Sequence, residues 1–189
     1  MAIYPDLAGK VVLVTGGASG IGESIVRAFA QQGARVAFVD IDAAAGPALA
    51  TELTDAGHVV RFEALDLRDI AALQAGISRF RESLGPIQVL VNNAAHDERH
   101  PALEVTSDYF DDRIAVNLRH QFFASQAVLP DMKAAGGGVI LCLSSISWMA
   151  GFGGMPIYTA SKSAIIGLVR SLARDFGPDN IRVNAITPG

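Results

Sequence analysis

Tyr158 and Lys162 stand four residues apart in the run Tyr158-Thr159-Ala160-Ser161-Lys162. On a helix that spacing brings both side chains to one face, a turn apart. A phenol beside an ammonium is an acid–base pair. Free tyrosine titrates near ~10, too high for a base at neutral pH, and a fixed positive charge favours the phenolate. The pair taken alone also fits a solvated helix face. Its setting adds weight: Ser144-Ser145 and Asn92-Asn93-Ala94-Ala95 precede it, and the chain opens on a glycine-rich stretch.

That stretch, Thr15-Gly16-Gly17-Ala18-Ser19-Gly20-Ile21-Gly22, follows the apolar run Val11 to Val14. Glycines at a strand-to-helix turn let backbone approach a pyrophosphate, and the helix N-terminus offers N–H groups and a positive dipole. The spacing is Gly-x-x-x-Gly-x-Gly rather than the general dinucleotide fingerprint. A tight turn without a ligand is the plainer reading, and the position after the first strand favours the nucleotide. Asp40 ends the second strand, 18 residues after Gly22. A carboxylate there accepts hydrogen bonds from adenosine ribose hydroxyls and repels a 2′-phosphate, so NAD is favoured over NADP. No Arg or Lys at positions 17, 18, 41 or 42 offsets it. Asp66-Leu67 ends the third strand at the same edge, where Asp66 is placed to hold the adenine amino group. The rival roles are a turn or helix-capping acid for Asp40 and an acid at the start of the next helix for Asp66.

The elements that must position these groups alternate in kind. Short β-branched runs over 11–15, 35–40, 59–64, 89–91, 139–143 and 182–186 read as strands. Helical patterns fill about 21–32, 43–56, 69–84, 107–134 and 157–176 between them, the fourth with an expected break near Pro130. This repetition predicts an α/β, Rossmann-type, doubly wound parallel sheet with helices on both faces, in a single dinucleotide-binding and catalytic domain over 1–189.

Composition agrees. Half of the 189 residues are hydrophobic, and the mean hydropathy of +0.33 suits a buried parallel sheet. A net charge of −4 points away from nucleic acid and from an anionic membrane surface. The single Cys142 reads as a core residue and fits a cytoplasmic setting. Histidines 58, 96, 100 and 120 lack metal-ligand spacing, so no metal is expected.

Taken together, Thr15 to Gly22, Asp66, Asn92-Asn93-Ala94-Ala95, Asn117, Ser145, Tyr158, Lys162 and Asn184 to Gly189 resemble the short-chain dehydrogenase/reductase family over essentially the whole chain. The resemblance implies an NAD-dependent oxidoreductase whose catalytic set is Ser145, Tyr158 and Lys162, with Asn117 as a fourth member. Ser145 is preferred to Ser144 because it lies 13 residues before Tyr158, the family's usual separation. The alternation of a strand end also points neighbouring serines to opposite sides. In the family Tyr158 exchanges the hydroxyl proton, and Lys162 lowers the phenol's pKa and binds the nicotinamide ribose. Ser145 hydrogen-bonds the reacting oxygen. Asn117 holds a water that links Lys162 to solvent; a satisfied structural asparagine is its competing role. The implied cofactor contacts are Gly16, Ser19, Gly20, Ile21, Gly22, Asp40, Asp66, Leu67, Asn93, Ala94, Tyr158, Lys162, Pro188 and Gly189. Ala95 replaces the family's common glycine, which is tolerated where φ is negative. Members continue past Pro-Gly with a substrate lid, a further helix and a last strand, so the resemblance implies truncation after Pro188-Gly189.

Substrate signals are fewer. The polar run His96-Asp97-Glu98-Arg99-His100, the segment 117–123 and Ser144 to Trp148 resemble the aldose 1-dehydrogenases of this family, which oxidise an anomeric hydroxyl. Trp148 offers an aromatic face for a sugar. A solvated loop and a packing tryptophan are the plainer alternatives. Reduction of a 3-oxoacyl thioester or another ketone is the rival activity, and a dinucleotide-binding regulator without turnover the rival of another class. Phe122, Phe123, Ile165, Ile166 and Leu168 make helices 107–134 and 157–176 apolar on more than one face, which calls for burial in the core or against another subunit. The family builds dimers and tetramers on these helices, so a homotetramer or homodimer is expected.

Overall fold

The structure, a computed structural model, describes residues 2–189. Six strands, β1 (Val11–Thr15), β2 (Arg35–Asp40), β3 (Val60–Ala64), β4 (Val89–Asn92), β5 (Gly138–Leu143) and β6 (Ile181–Ile186), form one parallel sheet in the order β3-β2-β1-β4-β5-β6. Val, Leu and Phe dominate β1, β2 and β4, which are covered on both faces and almost fully buried. At the two rims burial is incomplete: β6 alternates buried Ile181 and Val183 with exposed residues, and β3 buries only Val60 fully.

Helices α1 (Gly20–Gln31) and α2 (Ala45–Asp55) cover one face. There Val26, Ala30, Leu49 and Leu53 pack on Val12, Val14, Val36 and Phe38. Helices α3 (Ile70–Leu84), α5 (His120–Ala134) and α6 (Pro156–Phe176) cover the other, where Leu73, Ile77, Phe80, Val128, Met132, Ile165 and Val169 meet Leu13, Val39, Leu90 and Ile140. Helix α4 (Ser107–Ile114) leads into α5.

The chain moves outward from β1 to β3, then crosses back to place β4 beside β1. A parallel sheet that reverses its winding leaves a crevice between the carboxyl ends of the two strands at the switch. Here Thr15 pairs with Asn92, so the glycine turn after β1 and the Asn93-Ala94 segment after β4 open into the same crevice.

One boundary differs from the sequence reading. The long helix is not interrupted at Pro130, which lies within α5 on an exposed side. A proline there frees the carbonyl one turn back, at Gln126, an exposed residue on the solvent side of the helix. The interruption is instead a π-helical turn over Ala115–Arg119, centred on Asn117. No helix among the described residues is long and apolar enough to cross a membrane.

Candidate active site

The crevice is a cavity of about 690 Å³ along the carboxyl ends of the strands. Gly16, Ser19, Ile21, Gly22, Asp40, Asp66, Leu67, Asn93, Ala94, Ser145, Tyr158, Lys162, Pro188 and Gly189 all line it. Two of the expected residues do not: Gly20 and Asn117.

At the glycine turn the backbone is held by close approaches. Gly16 has φ +66°, and a Cβ on it would fall 2.7 Å from the Ala94 Cα. A Cβ on Gly22 would fall 1.8 Å from the Gly16 carbonyl oxygen, so any side chain there pushes α1 off the turn. Asn93 fastens the same point by donating through Nδ2 to the Thr15 and Gly16 carbonyls, at 3.1 and 2.8 Å. Thr15 answers with its hydroxyl, which accepts from the N–H groups of Asn93 and Ala94. The first N–H groups of α1 have no intrahelical partner, and Ser19 makes no side-chain cap. This cradle of backbone donors fits a pyrophosphate, and the site's residues therefore fit a dinucleotide.

The carboxylates sort themselves by their partners. Asp40 Oδ2 accepts from the Ala18 N–H at 2.9 Å, and Oδ1 from the Asp42 N–H. It caps no helix; that work falls to Asp42, which accepts from Ala44 and Ala45. Each Asp40 oxygen keeps a lone pair for a further donor. Asp66 is gripped by Arg68 at 2.6 Å, and the guanidinium holds its carboxyl below the ordinary range. The acid that starts α3 is Asp69, which accepts from the Ala72 N–H, so the helix-acid role considered for Asp66 is not the one it plays.

Helix α6 brings Tyr158 and Lys162 to the same wall, one turn apart. Lys162 is buried, donates through Nζ to the Leu143 carbonyl at 2.7 Å and lies 5.4 Å from the centre of the Tyr158 ring. Burial lowers its pKa to about 8. Tyr158 is held above its ordinary value, chiefly by burial and further by the charge of Asp97, while a hydrogen bond with the Ser145 hydroxyl acts in the opposite sense. One of the three ammonium N–H groups goes to the Leu143 carbonyl.

Ser144 and Ser145 do part at the strand end. Ser144 Oγ donates to the Lys162 carbonyl at 2.7 Å, buried, and so ties β5 to α6. Ser145 Oγ accepts from the Ser147 N–H and faces Tyr158. Pro188 reaches the cavity because its carbonyl accepts from the Ile146 N–H at 3.0 Å, just as that of Ile186 accepts from the Ser144 N–H.

Asn117 lies behind the wall with no exposure. Its Oδ1 accepts from the His96 N–H at 2.8 Å, and its Nδ2 donates to the His96 carbonyl at 3.1 Å. Both amide ends are thus paired in the manner of a structural asparagine. Trp148 is not among the residues that line the cavity, and its indole N–H is buried without a partner; the packing reading describes it better than the sugar-stacking one. Ala95 does not have positive φ, since Asn180 is the only non-glycine that does among the described residues. His96 to Arg99 are exposed, but His100 is buried, so the polar loop is anchored at its far end.

Several residues escaped the sequence reading. Arg113 and Val116 line the cavity. Arg113 pairs with Glu98 at 3.0 Å and with Asp112, which Arg68 also holds at 2.7 Å. An ion-pair chain therefore runs along the rim from Asp66 to Glu98. His120 lies fully buried with Nε2 3.2 Å from the Ala94 carbonyl, and burial lowers its pKa to about 4. For Arg113 and His120 the one signal was polar character within a helical segment, which is weak, and Val116 carried none.

Comparisons with known proteins agree with this fold. A family model described as short chain dehydrogenase matches residues 10–189. A protein of Rhizobium meliloti named "Probable galactose dehydrogenase GalD" is 49% identical over 187 residues, covering 98% of this chain and 73% of its own length. A D-xylose 1-dehydrogenase of Caulobacter vibrioides is 45% identical over 188 residues, covering 100% of this chain and 74% of that protein. The solved structure of a Serratia marcescens short-chain dehydrogenase/reductase mutant superposes with a TM-score of 0.91 at 39% identity, covering 98% of this chain and 76% of the other.

Proposed function

The chain belongs to the short-chain dehydrogenase family, and from that premise we propose that this oxidoreductase transfers hydride between a sugar hemiacetal or secondary alcohol and NAD. The observation that carries the reading is the meeting of Ser145, Tyr158 and Lys162 on one wall of a cavity whose opposite end is the glycine cradle.

Each residue has a task that its place supports. Gly16, Ser19, Ile21 and Gly22 receive the pyrophosphate, and Gly20 supplies the φ of +56° that turns the chain into α1. Asp40 accepts from the adenosine ribose, and with no cation at 17, 18, 41 or 42 a 2′-phosphate is repelled, which favours NAD. Asp66 and Leu67 would hold the adenine, and Asn93, Ala94, Pro188 and Gly189, which line the same cavity, would hold the rest of the dinucleotide. The bound dinucleotide supplies the hydride acceptor. Ser145 donates a hydrogen bond to the substrate oxygen, and Tyr158 takes its proton in oxidation and returns it in reduction. Lys162 binds the nicotinamide ribose and brings positive charge toward the phenol. Asn117, in the π turn, holds the path from Lys162 to solvent. A sugar suits the polar rim of His96, Asp97 and Arg113, and two relatives carry names of aldose dehydrogenases. We also propose a cytoplasmic homotetramer or homodimer, built on the outer faces of α4, α5 and α6.

The test is NADH formation with NAD or NADP and a panel of aldoses. Oxidation of at least one aldose with NAD is expected, and Tyr158→Phe should cost about 10² to 10⁴-fold in turnover while NADH still binds. Turnover that survives the substitution overturns the choice of base. A protein that reduces ketones and leaves every aldose untouched overturns the substrate class.

A further inference from the structure

Helix α6 carries the two central residues of the site, and its beginning is unusual. The residue before it, Met155, has no side-chain acceptor and makes no cap. Pro156 is the first helical residue and has no N–H. The first free donor is therefore the N–H of Ile157, a residue only 4% exposed, directly before Tyr158. A buried N–H needs a partner, and it finds one 57 positions away in sequence: His100 Nε2, at 3.4 Å.

His100 is built for that contact. It is 7% exposed, and its backbone N–H donates to the Gly154 carbonyl at 2.8 Å, which joins the loop after β4 to the loop that precedes α6. Because Nε2 accepts, the ring proton must sit on Nδ1. Nδ1 faces two acceptors, the Glu98 carbonyl at 2.9 Å and the Tyr109 hydroxyl at 3.0 Å. The Tyr109 ring stands edge-on to the imidazole at 5.1 Å, and the Arg113 guanidinium lies over its other side at 5.3 Å. Tyr109 in turn turns its hydroxyl to Glu98. The imidazole is thus fixed in tautomer and in orientation from α4.

We propose that His100 is a positioning residue, a helix cap supplied from another loop that holds the first turn of α6 so that the Tyr158 phenol meets Ser145. A small displacement of a reacting group is costly in rate, and Tyr158 is the residue next to the capped N–H. The proposal rests on the reading of Tyr158 as the acid–base group.

Three variants test it. His100→Leu removes the acceptor and should lower kcat about tenfold while the NAD dissociation constant stays within about twofold. His100→Gln offers a carbonyl oxygen near the place of Nε2 and should recover kcat to within about threefold of the parent. Hydrogen exchange at the Ile157 amide, followed by NMR without substrate, should quicken in the leucine variant and slow again in the glutamine variant. Tyr109→Phe keeps the ring and removes the hydroxyl that faces Nδ1; it serves if His100→Leu does not fold, and a fall of about threefold in kcat with faster Ile157 exchange is expected. Unchanged Ile157 exchange in the folded variants overturns the cap. Faster exchange with unchanged kcat overturns its role in positioning. Turnover by Tyr158→Phe would instead overturn the base assignment and leave the exchange result standing.

Discussion

At the scale of single residues the most consequential group is Lys162, because its burial sets its chemistry. With its pKa lowered to about 8 from 10.5, the side chain is mostly charged at pH 7 yet held out of water. The difference corresponds to about 3 kcal/mol of unfavourable burial, partly offset by the charge-assisted bond to the Leu143 carbonyl. The sign follows from proton counts. Between pH 8 and 10.5 the unfolded chain keeps a proton that the folded chain has released, so stability contributed by this group rises with pH through that window and is lost as pH falls back to 8. Lys162→Met removes the titration. The variant should lose turnover but be more stable than the parent near pH 7 by about 1 kcal/mol, the excess shrinking as pH rises toward 10.5. Urea denaturation at pH 7 and at pH 10 measures this, and a less stable variant at pH 7 would mean that the carbonyl bond outweighs desolvation. The sequence placed Tyr158 and Lys162 together correctly because helical spacing is local. It did not show the burial of the pair or the Leu143 carbonyl that meets the ammonium, because these depend on a strand 19 residues away.

At the scale of elements, the joints between helices matter more than the helices themselves. The sequence showed the strands and helices to within a residue or two, since β-branched runs and turn glycines are local signals. It did not show the π turn at Asn117, which exists because both ends of the buried amide are claimed by the His96 backbone. Nor did it show that Pro130 is tolerated within α5. The next residue explains part of that tolerance. Asp131 accepts from Arg81 Nε at 2.7 Å on α3 and from the Ile87 N–H at 3.1 Å, while Arg81 also donates to the Ala127 carbonyl. One nearly buried carboxylate therefore fastens the last turns of α5 to α3 and to the chain entering β4. Asp131→Ala strands a guanidinium and a buried N–H, and should cost about 3 kcal/mol of stability. Asp131→Asn keeps an acceptor for Ile87 and should cost roughly half as much. Equilibrium urea unfolding measures both, and a loss below about 1 kcal/mol for alanine would show that packing alone holds this corner.

For the whole molecule, the doubly wound parallel sheet was legible because β-α alternation leaves few topologies open, while the strand order, and with it the switch between β1 and β4 that dictates where the crevice lies, came from the structure. What the pattern could not divide was apolar surface meant for the core from apolar surface meant for a partner. Ile165 is fully buried and Leu168 packs against the core, so the all-round apolar character of α6 is largely used internally. On α4 and α5, by contrast, Phe110 remains 46% exposed and Phe122 40%. Phe122 stands edge-to-face with Phe123 at 5.2 Å, an aromatic surface of the kind found at the centre of subunit contacts. If these helices pair between copies of the chain, a carboxylate at 122 would be buried without a partner, at a cost that a contact between copies rarely survives. Phe122→Glu should therefore reduce the mass in sedimentation to that of a smaller assembly, and leave monomer folding intact because the side chain is outside the core. A parent protein that sediments as a monomer at micromolar concentration, or a variant of unchanged mass, would remove α4 and α5 from the interface.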